Sequence, residues 1–392
     1  MLRLQLCLVA LVLAPGCMCD TTQVRPVLPF CEANPDQCID AGVDAGLPPC
    51  GNEGSVTGRV CAPDQQTWVN GAAVFIDGTD CHGQPFHVET SSSSDGTFNL
   101  TGVPPGSWTV KATLGAFTQE TPVTVNANAA TAIPDNQLCV AQKAVRIAVV
   151  TGAGDKIEDL LTSLRLNFTL FGGDTSTWTS EAEPFLADLN KLKQYDLVFV
   201  DCAAAKASGT VIDLGPRAAL IKQNLRAYAQ QGGSVYSSDW ALVFTLAAAP
   251  TDFSYVMQPG SAVTNPFDAK VLKGFAPQTV SARVDDSGLA QFLGKSTLNI
   301  TFPKQSGANS LHWGLMGATT GEVLVSAVSV QTCPDVQCNN PGSSLANVPL
   351  AVRVRVGAAG QRGGNVVYTS FHNVAQQGTD VAQVLKYLVL NL

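Results

Sequence analysis

The fold is decided by residues 216–240, PRAALIKQNLRAYAQQGGSVYSSDW. Leu220, Ile221, Leu225 and Tyr228 recur at helical spacing, while Lys222, Gln223 and Arg226 occupy the other side, so the first part reads as an amphipathic helix. Pro216 suits a first helical turn, where its missing N–H has no partner to lose. The pair Gly232-Gly233 can end the helix in the left-handed conformation, and a short β run follows, leaving Ser237-Ser238-Asp239 at the strand exit. Such exits are where open α/β sheets place their sites.

Outward from this unit the same alternation continues. Ala144–Val150 is a near-continuous apolar strand of the kind buried in parallel sheets, followed by a helix over Ile157–Leu164 and a strand over Asn167–Phe171. A second helix is expected over Pro184–Lys193, and a strand over Tyr195–Asp201. Residues 142–392 therefore predict an α/β flavodoxin-like domain with a mostly parallel sheet and right-handed crossovers. Further strands are expected at Val280–Val284, Ser296–Phe302, Glu322–Val330, Leu350–Val356 and Gly364–Asn373. A closing helix over Asp380–Leu390 buries Val381, Val384, Leu385 and Leu388.

Residues 53–141 read differently. Short strands at Gly54–Val60, Gly71–Ile76, Asp95–Leu100 and Trp108–Ala112 are separated by turn residues, which predicts a small antiparallel β-sandwich. Before it, residues 17–52 hold Pro26, Pro29, Pro35, Pro48 and Pro49 and the repeat Asp40-Ala-Gly-Val-Asp44-Ala-Gly, a flexible tether. Asp40 and Asp44 lack the closing Glu of a calcium loop, so a solvated linker is expected.

The chain has 392 residues, 12 cysteines, 14% charged residues and a net charge of −8. That acidity and the lack of a basic cluster argue against a nucleic-acid partner. The cysteine count points to an oxidising compartment. Cys333 and Cys338 are expected to pair, and Cys31 with Cys38 would close a local loop. One arrangement joins Cys61 to Cys81 and Cys50 to Cys139, although spacing leaves connectivity open. His82 and His87 near Cys81 are read as exposed loop histidines, with no metal and no cofactor implied.

Leu4–Leu13 is an apolar stretch too short to span a bilayer, and Leu13-Ala-Pro-Gly16-Cys17 resembles a bacterial lipoprotein signal cleaved before Cys17. Ala14 departs from the Leu usual in that box, and ordinary signal cleavage is the other reading. The resemblance implies lipidation of Cys17 and a lipid-anchored place in the cell envelope, the membrane being a partner through that lipid.

Gly58-Arg-Val60, Asn70–Val74, Ser94–Leu100 and Gly102–Val110 resemble a carboxypeptidase regulatory-like domain of transthyretin-type topology, which implies a non-catalytic stalk or interaction module. Arg146–Thr151, Tyr195–Val200, Leu225–Gly233 and Val366–Asn373 resemble the class I glutamine amidotransferase-like superfold, in its non-amidotransferase branches. There the strand corresponding to Ser234–Tyr236 ends in a nucleophilic Cys, and a late strand supplies an activating His. Here Ser237-Ser238-Asp239 replace the Cys, while His372 stands where the His would be. The expected function is a tethered envelope protein whose α/β domain binds an unknown envelope protein or a small-molecule ligand. Candidate ligand-binding residues are Ser237, Ser238, Asp239, Trp240, His372 and Asn373. The alternative is a hydrolase of carbohydrate or peptide using Ser238, Asp239 and His372. Gly152-Ala-Gly154 is read as a turn, Cys202 as a buried thiol, and Trp240, Trp313 and Phe371 as core or cleft walls.

Overall fold

The structure, a computed structural model, describes residues 50–174, 176–208, 211–256, 271–303, 313–333, 338, 340–357, 363–371, 373 and 379–392. Cys17, Cys31, Cys38, most of the tether and His372 lie outside the described residues.

Seven strands build the sandwich: β1 (Gly54–Cys61), β2 (Ala73–Thr79), β3 (Pro85–Ser91), β4 (Thr97–Val103), β5 (Gly106–Leu114), β6 (Phe117–Val125) and β7 (Ala130–Cys139). They form two sheets, ordered β4-β1-β7 and β3-β2-β5-β6. Alternation drives the packing: Val56, Val60, Val74, Ile76, Leu100 and Val110 turn inward and are fully buried. The expectation of an all-antiparallel sandwich needs correction, because β1 and β7 run parallel. The chain leaves β6 in one sheet and crosses to the other, where β7 pairs beside β1. Strands β3, β6 and β7 escaped the sequence reading because their patterns are polar. In β7, Asp135 and Asn136 adopt φ of 55° and interrupt the alternation. His87 is correspondingly on β3, not in a loop.

The β1–β7 pairing also corrects the cysteine arrangement. Its register sets Cys61 opposite Cys139, and these two are joined. Cys50 is joined to Cys81, and Cys333 to Cys338.

The second region is built on one nine-stranded sheet. Its strands are β8 (Ile147–Val150), β9 (Thr169–Phe171), β10 (Leu197–Val200), β11 (Ser234–Ser238), β12 (Gln278–Val284), β13 (Thr297–Phe302), β14 (Glu322–Gln331), β15 (Ser344–Val356) and β16 (Gly364–Thr369). The order is β13-β12-β14-β15-β16-β11-β10-β8-β9. The run β16-β11-β10-β8-β9 is parallel throughout. From β16 outward through β15, β14, β12 and β13 every pairing is antiparallel. The expected mostly parallel sheet is thus half parallel. The sequences say why: Ile147-Ala-Val-Val and Leu197-Val-Phe-Val are buried at every position, whereas β12 and β13 alternate.

The helices are α1 (Ile157–Ser163), α2 (Ala182–Leu186), α3 (Leu189–Leu192), α4 (Ala218–Gln230), α5 (Leu242–Ala248), α6 (Ser287–Leu293) and α7 (Thr379–Leu390). The helix expected over Pro184–Lys193 is two short ones. Asp188 adopts an extended conformation between them and caps α3, accepting from the N–H groups of Asn190 and Lys191. In α4, Ile221, Leu225 and Tyr228 face the core, but Leu220 is 44% exposed and falls off the buried stripe. Pro216 lies before the helix, which begins at Ala218. Gly232 ends the helical segment at φ 104°. A Cβ on Gly233 would meet the Tyr228 ring at 2.2 Å, so the second glycine is required by close approach.

The sandwich and the nine-stranded sheet share a core. Buried residues from Val56 through Leu385 to Leu392 form a single apolar cluster. Asn70, on the sandwich, donates through Nδ2 to the Gly288 carbonyl of α6 at 3.1 Å. Lys386 of α7 lies 3.6 Å from the Asp64 carboxylate.

Candidate functional site

The parallel strands β8, β10, β11 and β16 end together, and their exits carry Asp155, Asp201, Cys202, Ser238, Asp239, Thr369 and Asn373. Strand β11 stops at Ser238. Asp239 then takes φ 43°, a 3₁₀ turn covers Asp239–Ala241, and α5 follows at once. The strained residue of this strand-to-helix elbow is therefore Asp239.

Each exit side chain is held by its neighbours. Ser238 is fully buried; its hydroxyl donates to Asp155 Oδ2 at 2.7 Å and accepts from the Cys202 N–H at 3.1 Å. Asp155 Oδ1 accepts from the backbone N–H of Lys156 at 2.7 Å and of Asn373 at 2.8 Å. Asn373 Nδ2 closes the loop by donating to the Lys156 carbonyl. Asp239 Oδ1 accepts from the Gly314 N–H at 3.0 Å, and the Cys202 thiol reaches Oδ2 at 3.6 Å. Ser237 is fully buried and its hydroxyl bonds the Thr245 hydroxyl. Tyr236 and Thr369 share a hydrogen bond of 2.8 Å, and Tyr368 donates to the Asp239 carbonyl.

Electrostatics follow from burial. Loss of water pushes the Asp239 carboxyl up to about 8, with the Asp155 charge adding to the shift and the Gly314 N–H opposing it. Burial likewise raises the Cys202 thiol well above its ordinary value, helped by Asp239, so it is a poor nucleophile. Asp201 is fully buried directly after β10, and neither carboxyl oxygen has a hydrogen-bond partner. Burial, then the Asp155 charge, then Glu158, raise its pKa well above the ordinary carboxylate value.

Of the residues singled out from sequence, Ser237, Ser238, Asp239 and Asn373 do come together. Trp240 is half-buried beside them. Trp313 is buried and stacked on Phe302 at 4.0 Å, and Phe371 is buried, so both are core. The reading missed Asp155 and Asp201. Asp201 was visible as the polar residue closing an apolar strand, whereas Asp155 needed the three-dimensional return of its loop. Gly152 and Gly154 serve contact: a Cβ on Gly152 would sit 2.1 Å from the Cys202 carbonyl, and one on Gly154 would sit 2.9 Å from its sulfur.

On the sandwich, His87 bridges Asp77 Oδ1 at 2.7 Å and Glu89 Oε2 at 3.0 Å; those bonds raise its pKa, Asp77 first. Cys50, Cys81 and His82 lie close together, but the two sulfurs are bonded to each other and offer no thiolate to a metal. Residues 55–138 match the carboxypeptidase regulatory-like domain. This regulatory-like domain and the three disulfides among the described residues point to an extracytoplasmic protein. Among the described residues no helix is long and apolar enough to cross a membrane.

Comparison with curated proteins finds no match. Among solved structures there is weak similarity to glutamine amidotransferase-type folds. A glutamine amidotransferase from Thermotoga maritima is 10% identical, covering 63% of this chain and 88% of that one, with a TM-score of 0.33. PurLQS from the same organism is 12% identical over 62% of this chain and 97% of that one, at a TM-score of 0.34. The glutaminase domain of CTPS from Trypanosoma brucei, with bound acivicin, is 14% identical over 63% and 92%, at 0.31.

Proposed function

We propose that this is an envelope protein, lipid-anchored through Cys17, in which the regulatory-like domain carries an α/β domain that binds a ligand or partner rather than reacting with it. In sequence order the parallel run is 2-1-3-4-5, the flavodoxin-like order, whose ligands sit at the strand exits. The observation that carries the reading is Ser238: its hydroxyl is sealed from solvent and engaged on both sides, by Asp155 and by the Cys202 N–H. A nucleophile needs an open approach and a base that it can reach in the presence of substrate. The elbow residue, Asp239, is a buried carboxyl held by Gly314, where acyl transfer would need an exposed thiol or hydroxyl. The rival reading, a hydrolase using Ser238, Asp239 and His372, requires the Ser238 hydroxyl to leave Asp155.

Treatment of the full-length chain with a fluorophosphonate, followed by mass spectrometry of the Ser238 peptide, tests this. No adduct is expected; an adduct on Ser238 would favour the hydrolase. For the anchor, radiolabelled fatty acid should enter the wild-type chain and not a Cys17→Ala variant. Equal labelling of both would remove it.

A further inference from the structure

At the opposite end of the sheet, where the parallel strands begin, two cavities of about 550 and 480 Å³ adjoin, sharing Asp252 and Arg355. The first lies between the C-terminal ends of α4 and α5 and the end of β15. It is lined by Arg226, Gln230, Gln231, Thr251, Asp252 and Arg355 among others. Arg146, Arg283 and Arg353 are each ion-paired, to Asp196, Asp285 and Glu322. Arg226 and Arg355 have no ion pair among the described residues, in a chain whose net charge is −8. Two guanidiniums against the single Asp252 carboxylate leave one net positive charge in the first cavity. In the second, Arg353 is already neutralised by Glu322.

The geometry points to a binding site for a carboxylate-bearing sugar, a uronic acid, in the first cavity, with a neighbouring sugar unit extending into the second. A guanidinium matches a carboxylate through paired N–H donors. The single surplus charge suits a monoanion, and the Asp252 carboxylate would repel a dianion. The Gln230 and Gln231 amides supply donors and acceptors for sugar hydroxyls, while the Thr251 hydroxyl donates to Asp252 Oδ2 at 2.9 Å and the Thr320 hydroxyl to Oδ1 at 2.6 Å, leaving that pair acceptor capacity only. The apolar part of the first cavity's lining is small side chains, Ala248, Ala249, Pro250 and Val356. The volumes are those of ordinary small-molecule sites. The inference deepens the binding reading at an end of the sheet remote from Ser238, so the fluorophosphonate result and the titration below can fail independently.

Isothermal titration of the full-length chain with glucuronate, glucose, sodium sulfate and a triglutamate peptide tests it. Saturable glucuronate binding that exceeds the other three is expected. Arg226→Gln and Arg355→Gln should each weaken it by about tenfold or more while leaving the melting temperature unchanged, both being exposed. No saturable glucuronate binding, sulfate or triglutamate binding as tight as glucuronate, or a double Arg226→Gln/Arg355→Gln variant that binds like wild type would each overturn it.

Discussion

Asp239 concentrates the chemistry of the strand exits. Its backbone is left-handed, which a carboxylate side chain tolerates better than most, and its side chain bridges Gly314 and Cys202. With a carboxyl pKa of about 8 in the fold and near 3.8 when unfolded, the folded state binds the proton more tightly. Stability from this group is fully present below about pH 4 and is lost as pH rises toward and through 8. Asp239→Asn keeps an acceptor for the Gly314 N–H and removes the titration. Urea unfolding between pH 5 and 9 should therefore show a flatter profile for the variant, with its largest relative gain at pH 9. An unchanged slope would mean that Asp239 ionises normally. The sequence could place Asp239 at an exit but could not show it buried, because that depends on α5 and Gly314 closing over it from distant parts of the chain.

At the level of elements, what was legible followed from burial on two faces or one. Strands β8 and β10 announce themselves as unbroken apolar runs, and α7 shows its stripe of Val381, Val384, Leu385 and Leu388. The strands that were missed are polar and locally distorted, and their pairing partners lie far away in sequence. The split between α2 and α3 turns on one capping carboxylate, Asp188, inside an otherwise helical pattern. Cysteine pairing was hidden for the same reason as β7: only the parallel register of β1 and β7 sets Cys61 against Cys139. That bond spans 78 residues, and constraining so long a loop in the unfolded chain is worth about 4.5 kcal/mol on entropic grounds. Replacing both cysteines by alanine should cost roughly 2–5 kcal/mol in denaturant unfolding. A loss below about 1 kcal/mol would indicate that the β1–β7 pairing holds without it.

Across the whole molecule, the regulatory-like domain is not a free spacer hung on a separate head. One apolar cluster runs through both, and α6 and α7 are tied to the sandwich through Asn70, Asp64 and Thr67. The sheet they brace has one end whose strand exits are locked by buried polar bonds and an opposite end opening into two cavities. In this account Ser238 is part of the lock. Its removal leaves the Cys202 N–H short of its partner and takes one hydrogen bond from Asp155 Oδ2 in a buried site, an effect worth about 2–3 kcal/mol. The most direct measurement compares Ser238→Ala with wild type in urea unfolding and in hydrolysis of ester, peptide and glycoside substrates. A fall in stability of that size is expected, with hydrolysis the same in both proteins. Unchanged stability together with loss of a hydrolytic activity that the wild type possesses would contradict it.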